Sequence, residues 1–307
     1  MTLPNFLIIG AAKAGTTTMW HQLGQHPQIY MSPHKEPRYF ALCGRPVDFR
    51  GPGDTTRFHF VTEYAQYEAL FDGVKKETAI GEASPWYLYV PSAAPAIKEL
   101  LPDVKLIAIL REPVERAFSN YLHAVREGLE PLRTFHEAMD AEESRIRAGW
   151  SPRFHYKQKG LYFRQLSHYL KFFDRNQIWV GLYDDLLQTP ALFFSDLFSF
   201  LDVDPEFKID VRRRLNVSWV PRSRTLGRVL KEGNSLTRMT RRVVPEPIRQ
   251  RVKNLFVAIN EKRKPALSPD DRRRFRPEYE EDVRQLEGFL GLSLERWRNG
   301  DSATRTD

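Results

Sequence analysis

The sequence contains a single cysteine, Cys43, in 307 residues. One thiol closes no intramolecular disulfide and supports no multi-cysteine metal site, which excludes a disulfide-stapled scaffold and a structural zinc cluster. Long apolar runs are missing too, since nothing approaches the ~18 uncharged apolar residues that span a bilayer. The opening stretch, MTLPNFLIIGAAKAG, is apolar but short, has no basic residues before it and meets Lys13 soon after. It therefore reads as a core strand and not as a leader. A cytoplasmic protein without stable membrane insertion is expected. Internal repeats and low-complexity tracts are also lacking, and only the tail at 301–307 is expected to be disordered.

Positive charge is in excess. Lys and Arg number 47 against 39 Asp and Glu, a net charge of +8 that favours an anionic partner. The surplus crowds into 212–228 and 238–276. A nucleic-acid footprint would look similar, but no aromatic-basic RNA motif or helix-turn-helix pattern accompanies it. No nucleic-acid partner is expected. A pocket for a polyanionic ligand plus a solvated helix face accounts for the same charge.

Apolar patterning gives an α/β reading. Phe6–Gly10 is a short buried strand, followed by a Gly/Ala/Lys loop and a helix over 16–25 that Pro27 closes. The run VKLIAIL at 104–110 is a continuous, branched, buried strand. After Arg111 and Glu112, Pro113 suits the first turn of a helix carrying Arg116, Phe118, Tyr121 and Leu122. Ile178–Leu182 is another strand, with helices over 161–173 and 190–201 on either side, and a weaker strand lies near 78–81. Strands alternating with helices predict a central parallel sheet flanked by helices on both faces, a three-layer sandwich. The stretch 44–62, rich in Gly, Pro, Arg and Asp, reads as a long excursion of the substrate-loop kind.

The segment Gly10-Ala11-Ala12-Lys13-Ala14-Gly15-Thr16-Thr17 nearly matches the nucleotide-binding pattern G-x-x-x-x-G-K-[ST]. Its glycines and final threonine are in register, but Thr16 stands where the lysine should be and Lys13 lies inside the loop. Backbone N–H groups and a helix N-terminus still suit an anion. The lysine placement that serves the β/γ-phosphates of a nucleoside triphosphate is gone. The acidic strand-end residue that would hold Mg²⁺ is absent too: strand 104–110 runs into Arg111, which repels a metal and attracts a phosphate. Asp184 and Asp185 after the third strand keep a kinase-like, nucleoside-triphosphate-dependent alternative open.

Taken together, PNFLIIGAAKAGTTTMW and, downstream, LIAILREPVERAFSNYLH resemble the paired signatures of sulfotransferases that use 3′-phosphoadenosine 5′-phosphosulfate (PAPS). The first is similar to their 5′-phosphosulfate loop. The second is similar to their 3′-phosphate motif, an arginine with a serine eight residues on, here Arg111 and Ser119. The likeness is to the branch containing heparan sulfate sulfotransferases and many bacterial relatives, and it implies a P-loop-like α/β fold in one domain over 1–300. It also implies sulfuryl transfer from PAPS, leaving adenosine 3′,5′-bisphosphate (PAP), to a hydroxyl or amine of a small-molecule, glycan or lipid acceptor. Lys13, Ala14, Gly15, Thr16 and Thr17 would bind the phosphosulfate, with Lys13 also neutralising the leaving phosphate. Because a sulfuryl group carries less charge than a phosphoryl group, no metal is expected.

Further roles follow from the same resemblance. Glu36, in Ser32-Pro33-His34-Lys35-Glu36-Pro37-Arg38-Tyr39-Phe40, falls where that branch has its general base, with His34 as the second candidate and Glu82 the third. Asn216 and Arg222 fall where relatives close a loop over the nucleotide, with Trp219 the candidate adenine-stacking ring, and Lys262-Arg263-Lys264 resembles a late basic motif of the branch, all within a basic covering segment at 212–265. The chain departs from the branch at Glu82-Ala83-Ser84-Pro85, where Ala83 replaces a lysine that arranges the reacting groups. Lys35 is the candidate to compensate.

Overall fold

Five strands, Phe6–Gly10 (β1), Ile29–Met31 (β2), Ala79–Ala83 (β3), Lys105–Leu110 (β4) and Ile178–Leu182 (β5), pair in parallel in the order β2-β3-β1-β4-β5. They come from a computed structural model that describes residues 2–42, 47–53, 60–210, 220–221, 261–262 and 265–299. Cys43, residues 44–46 and 54–59 of the excursion at 44–62, Trp219, Arg222, Asn216, most of the basic segment at 212–265 and the tail at 301–307 lie outside the described residues. Every residue of β1 is buried, as is all of β4 beyond Lys105. A strand buried on both faces needs cover on both, which is why these two runs are continuously apolar instead of alternating.

The sheet is close-packed where it matters for the site. Phe6 stands opposite Gly81 on one side and Lys105 on the other. A Cβ on Gly81 would lie 2.3 Å from the Phe6 ring, so only glycine lets the strands pair around that ring. The strand expected near 78–81 runs on to Ala83. The strand β2 was not expected at all: three residues are too few to show a period, and its place is set by pairing with β3.

The helices Thr16–Leu23 (α1), Ala93–Leu100 (α2), Pro113–Arg126 (α3), Tyr162–Tyr169 (α4), Tyr183–Gln188 (α5) and Pro190–Phe200 (α6) alternate with the strands. Beyond them, Pro269–Phe275 (α7) and Glu280–Leu290 (α8) return to the same core. Asp282 of α8 caps α4 by accepting from the backbone N–H of Phe163 and Arg164, each at 3.0 Å. Val220–Pro221 (β6) and Glu261–Lys262 (β7) form an antiparallel ribbon, with β6 lying against α3. Among the described residues, no helix is long and apolar enough to cross a membrane.

Candidate active site

The carboxyl ends of β1, β3 and β4 converge, and the crossovers leave β1 in opposite directions, which opens a crevice there. From β1 the chain turns into the glycine loop. Ala11 N–H donates to the Ile109 carbonyl at 2.7 Å, and Ala14 N–H to the Ala11 carbonyl at 3.2 Å. Lys13 and Gly15 adopt positive φ, 72° and 99°. Gly15 is the N-cap of α1 and offers no side chain to its first turn, so those backbone donors remain for an anion.

The second wall is α3. Glu112 accepts from the N–H groups of Val114 (3.1 Å) and Glu115 (2.7 Å), and Pro113 occupies the first turn, so the helix starts firmly beside β4. Arg111 is thereby held at the strand end. Its guanidinium lies 5.0 Å from the Tyr183 ring, donates to Glu115 at 3.1 Å and reaches the Lys13 carbonyl at 3.5 Å. Tyr162, a core tyrosine, donates its hydroxyl to the Arg111 carbonyl at 2.7 Å. Ser119, His123 and Arg126 follow at helical spacing on the face that lines the crevice. Arg126 donates to His123 Nδ1 at 2.7 Å, which leaves the imidazole proton on Nε2. Burial, followed by the charges of Lys13 and Arg126, keeps that imidazole neutral by pushing its pKa well down.

The third wall comes from the segment after β2, stitched onto β3. Ser32 N–H donates to the Gly81 carbonyl (2.8 Å), Glu36 N–H to the Ala83 carbonyl (3.0 Å) and Arg38 N–H to Ser84 Oγ (3.0 Å). Glu36 and Arg38 both sit at positive φ, 63° and 59°. Left-handed backbone in non-glycine residues persists only where the surroundings hold it, and here three such residues face one crevice. Glu36 accepts from Lys35 Nζ at 2.5 Å and from the Arg38 guanidinium. Burial alone would raise the Glu36 carboxyl; Arg38 and Lys35 together overcome it and hold the carboxyl well below the usual range.

These walls enclose a cavity of about 360 Å³. Lys13, Gly15, Thr16, Thr17, Glu36, Arg111 and Ser119 all line it. Ala14 is buried beneath the loop. His34 does not line it, and its backbone turns around the Ser32 hydroxyl (3.0 and 3.3 Å). Glu82 is wholly buried behind the wall. Lys35 lies against Glu36, so a cation does stand beside that carboxylate despite Ala83. Asp184 and Asp185 are outside the lining, and Asp184 accepts from the Trp297 indole at 3.4 Å.

The cavity also contains residues that the sequence reading did not single out: Arg38, Trp86, His123, Arg126, Arg153, Lys159 and Tyr183. The spacing of His123 and Arg126 from Ser119 could have revealed two of them. Arg153 and Lys159 arrive from the irregular stretch before α4, which carries no periodic signal. Burial, then the neighbouring Arg126, pushes the Lys13 ammonium down to about 8, with Glu36 opposing.

Residues 4–207 match the sulfotransferase family. The chain belongs to that family. A solved sulfotransferase from Alicyclobacillus acidocaldarius is 32% identical, superposes with a TM-score of 0.75 and matches 97% of this chain and 100% of its own. The membrane-associated sulfotransferase kil1 of Dictyostelium discoideum is 26% identical over 66% of this chain and 57% of its own length. Human heparan sulfate glucosamine 3-O-sulfotransferase 6 is 26% identical over 61% of this chain and 49% of its own. This sulfotransferase spans about half the length of those curated relatives. Its sheet, loop and α3 are the P-loop-like α/β fold of the family.

Proposed function

We propose that this sulfotransferase transfers a sulfuryl group from PAPS to a hydroxyl or amine of a glycan or small-molecule acceptor, with Glu36 as general base. The observation that carries the reading is the junction of two anion-binding elements in one cavity. The loop before α1 offers backbone donors and Lys13, while Arg111 at the end of β4, with Ser119 and Arg126 on α3, offers charge and hydroxyl. PAPS carries anionic groups at both its 5′ and 3′ ends, which is the charge pattern such a pair would match. The donor supplies an activated sulfuryl group with a phosphate leaving group.

The chain's own residues would do the rest by position and electrostatics, as in phosphoryl transfer. Lys13, Thr16 and Thr17 would stabilise charge growing on the leaving phosphate. His123 would donate from Nε2. Glu36, ionised across the ordinary pH range by its two cations, would accept the acceptor's proton. Arg111 in place of an acidic strand-end residue favours this reading over a kinase, and neither Asp184 nor Asp185 lines the cavity. Among the described residues no group of three or more His, Cys, Asp and Glu could hold a metal ion.

Thermal melting tests the donor assignment. PAP without Mg²⁺ at about 100 times its dissociation constant should stabilise the protein by ~2.7 kcal/mol, and ATP with Mg²⁺ should do less. A larger shift with ATP and Mg²⁺ would reassign the cavity to a nucleoside triphosphate.

A further inference from the structure

Six cationic side chains line the small cavity, Lys13, Arg38, Arg111, Arg126, Arg153 and Lys159, against one carboxylate, Glu36. They divide into two groups. Arg111 reaches the Lys13 carbonyl at 3.5 Å, and Arg126 stands beside His123 on α3. Arg38 and Lys159 instead share the Trp86 ring, at 4.5 and 6.0 Å, Arg38 also holds Glu36, and Arg153 is close enough to act on Lys159. One positive pole surrounds the loop and α3. The other gathers around Trp86 and the candidate base.

Lys159 is the unusual member of the second pole. It is only 4% exposed, lines the cavity, and its ammonium makes no hydrogen bond or ion pair with any described residue. A lone buried cation is costly unless something neutralises it. Arg116, wholly buried as well, adds to that cost, and the Glu142 carboxylate offsets it only in part. Burial and Arg116 together push the Lys159 ammonium well down.

The position of Lys159 indicates what the missing partner belongs to. Its Nζ lies 6.0 Å from the Trp86 ring and 5.9 Å from the Tyr89 ring. Both rings also line a second, larger cavity of about 1020 Å³, with Phe49, Leu88, Leu161 and Phe163, and Trp86 is common to the two cavities. Lys159 therefore stands at the partition between a small, cationic chamber and a larger, mainly apolar one.

We propose that Lys159 is a specificity residue for the acceptor: it receives a carboxylate or sulfate carried by the acceptor, whose apolar body lies against Trp86 and Tyr89. The inference rests on the donor reading above, because it assigns the first positive pole to PAPS and so leaves the second to the other substrate. The acceptor class is an anionic molecule with an apolar or ring-shaped body that brings its hydroxyl or amine to Glu36.

Calorimetry on the PAP-loaded protein tests this with two aryl probes of nearly equal shape, 4-hydroxybenzoate and 4-hydroxybenzamide. The wild type should bind the carboxylate at least about tenfold more tightly than the amide. In Lys159→Met and Lys159→Gln the preference should fall below about twofold, with PAP and PAPS affinities within about twofold of wild type. A wild type with no carboxylate preference, including one that binds neither probe, overturns the inference, and that arm stands even if both variants misfold. So does a variant that keeps the preference. Loss of PAPS affinity with PAP affinity intact would place the sulfuryl group of the donor at Lys159 and overturn the acceptor assignment. Failure of the wild type to bind PAP would instead remove the donor reading itself.

Discussion

In the proposed reaction, Glu36 concentrates the proton chemistry in one residue. It sits at positive φ, touches two cations and lines the cavity. Lys35 and Arg38 keep this carboxylate ionised and orient it, and the same two cations lower its basicity. Glu36→Gln keeps size and hydrogen bonding but cannot accept a proton, so turnover should fall ~10²–10⁴-fold while PAP affinity survives. Single-turnover rates beside PAP calorimetry make the comparison, with His34→Ala as control. Near-normal turnover in Glu36→Gln, together with loss in His34→Ala, would move the base to histidine. The motif position of Glu36 was legible in the sequence. Its clamping by Arg38 was not, since two residues along a loop touch only if the backbone turns back, and here Glu36 and Arg38 both take left-handed φ to do so.

Among the elements, the strand–loop–helix unit at the start of the chain depends on Gly15. With φ at 99°, its backbone is one that L side chains rarely adopt, and an added Cβ would stand 3.0 Å from the Tyr183 ring. Tyr183 in turn stacks under Arg111, so a change at Gly15 reaches both the glycine loop and Arg111. Gly15→Ala should cost ~1–3 kcal/mol of stability and weaken PAP binding about tenfold or more. Denaturant melts and calorimetry read the two effects, and a variant that binds PAP normally would show that the loop tolerates another path. The loop, its helix and α3 could be read from glycines, an apolar run and Pro113. Their approach to one another could not, because Tyr183 comes from α5, far along the chain.

For the molecule as a whole, Glu82 links stability to pH. It lies in the middle of the fold on β3, wholly buried, with neither carboxylate oxygen hydrogen-bonded. Burial pushes it up to about 7, opposed in part by the hydroxyls of Tyr87 and Ser84 nearby. The unfolded chain ionises this group near its ordinary value of 4.5. Between about pH 4.5 and 7 the native state therefore holds a proton that the unfolded state has released. The contribution to stability is complete below that window and is lost as pH rises through it. Glu82→Gln should remove this slope and raise stability at pH 8 by on the order of 2–3 kcal/mol. Urea melts of both proteins from pH 4 to 8 would check it, and parallel pH profiles would mean that Glu82 is paired in solution.

Local chemistry sufficed for part of this protein. A buried strand must be continuously apolar, a phosphate-type loop needs glycines before a helix, and a strand ending in arginine repels a metal and attracts an anion. Those features stand side by side in the sequence, so the parallel sheet, the glycine loop ahead of α1 and the place of Arg111 at the end of β4 could all be read from it. The second positive pole could not. Arg38, Arg153 and Lys159 belong to segments without a period, and they meet only because β3 and α3 bring those segments to the same crevice. Burial then gives each charge its meaning: a lysine is ordinary in a sequence, and Lys159 becomes a demand for an anion only once the fold has closed around it.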